Sequence, residues 1–412
     1  MAAAVTGTAA PLRSIAIVGG GLGGLALAHH LARLQPRLKV TVYERDAGLY
    51  SRGQGYYIGL NRDGLDSLAL IRTKLPALDR MLQEGLGTLS RIAILTGSLR
   101  MLLSFRPAAN DSSLVSRWAL RDCLAEGVDV CWNKKLSRYT EADDHVSLEF
   151  TDGSSAIADL VVGADGAHSV VRTSRCPDLR YEPLGFSNCG GSLSLAAVSD
   201  CARFSKEVPS TLMRVCGAEG HSLLAFTFRA RGAAANDISV MWSLSWPKSH
   251  ATESRAMSAA KEPEELRRVL ADAAAATCSS PEIACVISRT PCEQLMAVST
   301  LHSVEPRNTD PLQSVTRVTL IGDAAHATTT HRGLGANTAF VDALLLAEAL
   351  AQPDWHAALE HYQKEAFVRG FRAVKQSLQS THMIHATGWV GVLRNVVLWC
   401  IGCLLSFVAL FR

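Results

Sequence analysis

Short β-branched runs and an amphipathic stretch alternate along the first 45 residues. Ser14 to Val18 (SIAIV) reads as a strand entering a glycine cluster, and Leu22 to Leu34 places apolar residues at helical spacing. Lys39 to Tyr43 (KVTVY) reads as a second strand. Strand, glycine turn, helix and strand form the βαβ unit of a parallel, doubly wound sheet. Further along, Asp63 to Leu86 reads as helical with breaks at Pro76 and Gly85, and Arg91 to Phe105 as two strands around Gly97. Ser116 to Leu124 has Leu120 and Leu124 on one helical face. Val128 to Trp132, Val146 to Phe150 and Ala158 to Val162 read as strands, the last two flanking the turn Asp152-Gly153.

From Tyr181 to about Thr290 the pattern changes to many short strands, among them Leu223 to Phe228 and Ile238 to Trp246. An Ala-rich helix with a capping Glu, Pro263 to Ala276, interrupts them. Arg317 to Ile321 is a final strand and Asn337 to Ala351 a strongly apolar helix. The expected fold class is α/β: a Rossmann-like parallel sheet interleaved with a mostly antiparallel one, then C-terminal helices.

Composition narrows the classes. With 48% hydrophobic and 19% charged residues, the 412-residue chain is a folded globular protein. Its 41 basic and 38 acidic residues give a formal charge of +3 without long runs of either sign. No nucleic-acid footprint is expected from that balance, and a small ligand is the better expectation. Eleven cysteines are spread singly, except for Cys400-Ile-Gly-Cys403 in an apolar tail. They lack the spacing of a zinc site and fit a reducing compartment, so no metal is expected and the location is cytoplasmic.

Chemistry enters at the glycines. Gly19, Gly21 and Gly24 fit G-x-G-x-x-G between a strand and a helix start. Such glycines allow a tight turn, backbone approach to a pyrophosphate and close helix–strand packing. The helix N-terminus behind them offers N–H donors and a positive dipole end. Glu44 follows Gly24 by 20 residues, where a carboxylate accepts hydrogen bonds from a ribose. The pattern alone does not separate FAD from NAD. A second constellation lies at Leu320 to His326 and Arg332 to Asn337. There Asp323 ends a strand, while Gly333, Gly335 and Ala336 present backbone N–H groups at a helix start, suited to negative charge on a bound ring.

Three separated motifs then agree: the glycine fingerprint, Gly163-Ala-Asp165-Gly166-Ala-His-Ser-Val-Val-Arg172, and Gly322-Asp323. In order and separation the chain resembles class A FAD-dependent monooxygenases of the para-hydroxybenzoate hydroxylase fold, closest to fungal secondary-metabolism members. The resemblance covers residues 14 to about 350. It implies that Gly19, Gly21 and Gly24 hold the FAD pyrophosphate and Glu44 the adenosine ribose. Arg117 would contact the flavin side, with Arg121 the less favoured partner, and Gly55 would approach the isoalloxazine or ribityl chain. Asp165 is associated with FAD and NAD(P)H, Asp323 with the ribityl or pyrophosphate region, and Gly333, Gly335 and Ala336 with the pyrimidine edge. The family often has Pro where Thr330-His331 stand here. The implied division assigns 1–90, 114–180 and 291–350 to an FAD-binding domain and 91–113 with 181–290 to a substrate-binding sheet. Residues 351–412 would form C-terminal helices.

The resemblance implies reduction of FAD by NADPH or NADH, then O2 activation and transfer of one oxygen atom to a hydrophobic small molecule. Hydroxylation, epoxidation and a Baeyer–Villiger step stay open, as do a flavin halogenase and a non-enzymatic membrane-associated flavoprotein. His331 is the weak candidate for acid–base work, lying between the halves of the second constellation. His326 reads as a packed, hydrogen-bonded residue, and Tyr56, Trp242 and Trp246 as core or rim. Val396 to Phe411 is 16 residues without a charge, just short of a span, and suits membrane association through 396–411 or packing on the protein.

Overall fold

The computed structural model describes residues 11–51, 57–84, 90–106, 112–229, 237–305, 312, 314 and 316–409. The chain forms two compact units, residues 1–84, 115–182 and 302–378 in one, and 85–114, 183–301 and 379–412 in the other.

The first unit is built on a five-stranded parallel sheet, in the order Val318–Leu320, Leu160–Gly163, Ser14–Val18, Lys39–Tyr43, Val130–Cys131. Its central strand is nearly all buried, as a sheet covered on both faces requires. Helix Leu22–Leu34 follows the glycine turn and buries Leu25, Leu27 and Leu31 completely. It packs on helix Gly335–Leu350 through small residues: a Cβ on Gly23 would stand 3.2 Å from the Ala339 Cβ. The two helix N-termini are thereby drawn together. An antiparallel ribbon, Leu136–Glu141, Val146–Phe150 and Ser155–Ala158, completes the unit.

The strand expected over Ala158 to Val162 is divided at Asp159. One piece pairs antiparallel in the ribbon and the other parallel in the main sheet. Asp159 makes the break because its carboxylate accepts from the Arg13 and Ser14 amides, at 2.7 and 2.9 Å. The strands expected at Val128 to Trp132 and Arg317 to Ile321 shorten to Val130–Cys131 and Val318–Leu320.

The second unit carries a seven-stranded sheet in the order Ser299–Val304, Tyr181–Ser194, Ile238–Pro247, Ser222–Arg229, Thr211–Cys216, Arg91–Thr96, Met101–Phe105. The described pairs are antiparallel apart from Thr211–Cys216 with Arg91–Thr96. One face packs on helices Pro263–Thr277 and Pro281–Ser288. Trp242 and Trp246 are core residues there, with indole N–H groups donating to Thr290 Oγ1 at 2.8 Å and Glu253 Oε2 at 2.9 Å. Gly191 makes space for the first, since a Cβ would stand 3.1 Å from the Trp242 ring. The expected glutamate cap of Pro263–Thr277 is Glu262 in position only, as its side chain makes no capping bond. All eleven cysteines are free thiols, with Cys400 and Cys403 exposed.

Candidate functional site

The glycine turn is shaped by backbone crowding. Gly19 has φ of +116°, open to glycine, and a Cβ there would collide with the Ala164 carbonyl and stand 2.8 Å from Asp165 N. Gly24 lies against the Gly19 carbonyl, Ala164 and Ile17. Gly21 differs: a Cβ on it would meet nothing within 4 Å. Two of the three glycines thus serve packing, and the third faces open space at the helix start. That open cradle is what a pyrophosphate needs.

Glu44 is buried beside this turn. Its Oε2 accepts from Gly20 N–H at 2.6 Å and its Oε1 from Asp46 N–H at 2.9 Å. Arg121, also buried, lies 3.4 Å from Glu44 and 3.3 Å from Asp46, and its Nε donates to the Gly20 carbonyl at 2.8 Å. A carboxylate has about four acceptor positions, the kind of group that a ribose hydroxyl can donate to. The structure gives Arg121, ranked below Arg117 from sequence, a definite place at this end. Both sit on helix Arg117–Ala125, capped by Ser116 Oγ accepting from Ala119 N–H. Arg117, one turn earlier, is half-buried, and its charge acts on Asp323.

Asp165 caps the short helix Val170–Arg175: its Oδ2 accepts from Val170 N–H at 2.7 Å. Its Oδ1 is buried with no hydrogen-bond partner among the described residues, an acceptor of the kind a ligand hydroxyl completes. Desolvation raises the Asp165 pKa against the opposing bonds from Ser169, Val171 and Val170. Arg172, at the end of the same motif, donates to the Ala167 carbonyl at 2.7 Å and to Ala324 at 3.3 Å. It ties the Asp165 motif to the Asp323 motif. Beside it His168, Tyr181 and His302 form an aromatic cluster, with Tyr181 and His302 stacked at 4.9 Å.

Asp323 opens the turn Asp323–His326 after Gly322, whose φ is +57°. Its side chain is open to solvent, yet desolvation raises its pKa in spite of His326, Arg117 and Arg172. Neighbouring protein groups act on this exposed carboxyl. Gly335 borders it, since a Cβ there would stand 3.4 Å from Asp323 Oδ1. Gly333 has φ of +64° with open space on its Cβ side, and Ala336 packs partly against the core. His331 is half-buried in the single turn Thr330–Arg332, beside Gly333 and Gly335 in sequence. Gly55 and Tyr56 lie outside the described residues, as do positions 410–411 of the tail.

What holds this second end was invisible in the motifs. Asp342, fully buried on helix Gly335–Leu350, accepts from Gly322 N–H at 3.0 Å, from His326 Nε2 at 2.6 Å and from Arg369 at 2.7 Å. Desolvation opposes both charges, but the partners win: His326 is held above its ordinary pKa and Asp342 below its own. Gly370 on helix Trp355–Ile384 leaves room for the imidazole, since a Cβ there would lie 2.9 Å from the His326 Cβ and collide with the ring. Asn337 clamps the other side, accepting from Asn61 N–H at 2.9 Å and donating to the Gly59 and Gly333 carbonyls at 2.9 and 2.8 Å.

An open cradle, a buried carboxylate beside it and an acid near a second helix start, all in one unit, fit an extended dinucleotide. Residues 13–377 match the family model described as FAD binding domain. The chain belongs to the FAD-binding domain family. It is a class A FAD-dependent monooxygenase of the fungal secondary-metabolism type. The FAD-dependent monooxygenase thnD of Trichoderma harzianum is 26% identical, covering 88% of this chain and 91% of its own. The FAD-dependent monooxygenase tazP of Aspergillus terreus is also 26% identical, over 82% and 89%. Among solved structures, a putative FAD-containing monooxygenase from Photorhabdus luminescens superposes with a TM-score of 0.73 at 25% identity, covering 90% of this chain and 98% of that one. HpxO of Klebsiella pneumoniae, solved with FAD and uric acid, shares the fold at TM-score 0.73 and 22% identity, over 95% and 97%.

Proposed function

We propose that this monooxygenase uses NADPH or NADH and O2 to insert one oxygen atom, as hydroxylation or epoxidation, into a hydrophobic small molecule of secondary metabolism. Bound FAD supplies the redox and oxygen chemistry. The residues hold and orient it. Gly21 admits the pyrophosphate to the helix N-terminus, Glu44 accepts from the adenosine ribose, and Arg121 fixes that carboxylate. Asp323 takes the ribityl or pyrophosphate region and Asp165 serves FAD and NAD(P)H, with Arg117 and Gly55 on the flavin side. Gly333, Gly335 and Ala336 present backbone N–H groups to the pyrimidine edge, where the dipole of helix Gly335–Leu350 favours the negative charge of reduction. His331, beside that edge in sequence, is the candidate for moving a proton. Residues 91–113 and 181–290 carry the substrate-binding sheet, and 1–90, 114–180 and 291–350 the FAD.

The observation that carries this reading is the pairing of the open Gly21 cradle with the Asp323 carboxyl beside Gly335, on two helix starts joined at Gly23 and Ala339. The test is comparative metabolite profiling with and without the protein under ¹⁸O2. A product one labelled oxygen heavier, with substrate-stimulated NAD(P)H oxidation, is expected. Holoprotein that oxidises neither cofactor and yields no labelled product contradicts it, and halogenated product would point to the halogenase. We place the enzyme in the cytoplasm, associated with a membrane through residues 396–411.

A further inference from the structure

Helix Gly388–Ala409 inverts the arrangement expected of a helix on a water-facing surface. Its buried and half-buried positions fall on one narrow stripe: Gly391, Arg394, Leu398 and Gly402, with Asn395 beside Arg394. The stripe packs within its own unit. A Cβ on Gly402 would stand 2.5 Å from the Leu102 carbonyl oxygen and 3.4 Å from the Leu103 Cα, on the edge strand Met101–Phe105. Arg394 is the helix's one charged residue, and it points inward. Its Nη1 donates to the Met383 and Ile384 carbonyls at 3.1 and 3.0 Å, closing the end of helix Trp355–Ile384.

Everything outward is apolar or uncharged. Trp389, Val392, Leu393, Val396, Trp399 and Leu404 are all more than half exposed. At roughly 100° per residue the exposed apolar positions sweep an arc of about 200°. A protein surface covers one side of a helix and leaves a polar rim, whereas a fluid apolar phase covers such an arc. The helix is long and apolar enough to cross a bilayer by length and composition. Crossing would require stripping it from Met101–Phe105 and taking Arg394 away from its carbonyls into hydrocarbon.

We propose that Gly388–Ala409 lies along the bilayer surface without crossing it, its inner stripe on the protein and its outer arc in the acyl region of one leaflet. The proposal rests on the membrane association stated above and gives it a geometry. Trp389 and Trp399 both lie on the outer arc, about 15 Å apart along the axis. Ten residues also turn Trp399 about 80° round the helix onto the flank of the arc, so in a flat helix Trp389 is the deeper of the two. In a crossing helix Trp399 is near the bilayer centre and Trp389 near its edge.

The experiment floats full-length holoprotein with vesicles of phosphatidylcholine and phosphatidylserine in equal parts, brominated either near the headgroup end or near the tail end of the acyl chain. Trp389→Phe and Trp399→Phe isolate each contribution to quenching. Flotation is expected, with Trp389 quenched more than Trp399 and both more by the shallow label than by the deep one. The exposed Cys400 and Cys403 should react with a charged maleimide in solution and roughly tenfold more slowly on vesicles. Absence of flotation overturns the membrane association itself. Flotation with Trp399 quenched mainly by the deep label leaves the association standing and overturns the flat geometry. A dimer by sedimentation that shields both cysteines without lipid makes a second copy the occupant and overturns both.

Discussion

The two ends of the cofactor site are built by different means. Around Gly19 to Glu44 the shape comes from backbone: Gly19 against the Ala164 carbonyl, Gly24 against the Gly19 carbonyl, a helix start, and a carboxylate that accepts from Gly20 N–H. Around Asp323 to Asn337 it comes from buried side chains on two following helices, Asp342 accepting from Gly322 N–H and His326 and in turn from Arg369. At the first end Gly19 and Gly24 are closely packed, and Gly21 alone of the three faces open space. The second is assembled only when helix Trp355–Ile384 has docked against the rest of its unit. Damage at Gly21 should therefore remove ligand and spare the fold, while damage at Asp342 should remove both.

The largest expected effect tests the second half of that contrast. Asp342→Ala leaves His326 without its buried counter-charge and frees Gly322 N–H. The loss is expected to be about 3 kcal/mol, read as a large fall in Tm with loss of bound flavin. Gly370→Ala should follow at about 1–3 kcal/mol, because its Cβ meets the His326 ring. An unchanged melting temperature in either would dissolve the distinction. Gly21→Val tests the first half. With open space around the new side chain, the apoprotein Tm should stay within the effect of about 1 kcal/mol, while FAD affinity falls by about a hundredfold. Glu44→Gln is milder. It keeps one acceptor and should weaken FAD about tenfold, measured by titrating apoprotein.

The smallest effect is on pH. His326 has a raised pKa, so its contribution is complete below 6.5 and is lost as pH rises through the higher folded value. Asp342 has a lowered pKa, so its share is present above 3.8 and lost on acidification through the lower folded value. The stability gap between wild type and His326→Gln should accordingly be widest between about pH 4 and 6.5 and narrow above that. His30, His221 and His385 act oppositely. Burial pushes each down to about 4, so their share is present above 6.5 and fades on acidification. A gap that widened above pH 7 would mean that His326 is neutral in its pair.

This contrast also explains what could be read from sequence. Strand Ser14–Val18, helix Leu22–Leu34 and strand Lys39–Tyr43 have the bounds their patterns predict, because period and glycine turn are local properties. Strand Tyr181–Ser194 escaped such reading. Its Gly185, Gly190 and Gly191 look like loop residues, and Gly191 is there because Trp242 needs the space. The break at Asp159 depends on the Arg13 and Ser14 amides, some 145 residues away. At the site, the motif residues announced themselves, but Asp342 read as one polar position in an apolar helix. Its partners stand 16 and 27 residues distant, and no spacing rule links them. The same holds for Gly370, an unremarked glycine in a long helix whose purpose is the ring of His326.

The central claim is that one extended dinucleotide joins these two ends, and fragments of FAD test it most directly. ADP and FMN can be titrated separately into apoprotein of wild type and Gly21→Val. The account predicts that both bind wild type and that Gly21→Val loses ADP while keeping FMN affinity within about twofold. Equal loss of both fragments, or ADP binding untouched by the substitution, would contradict it.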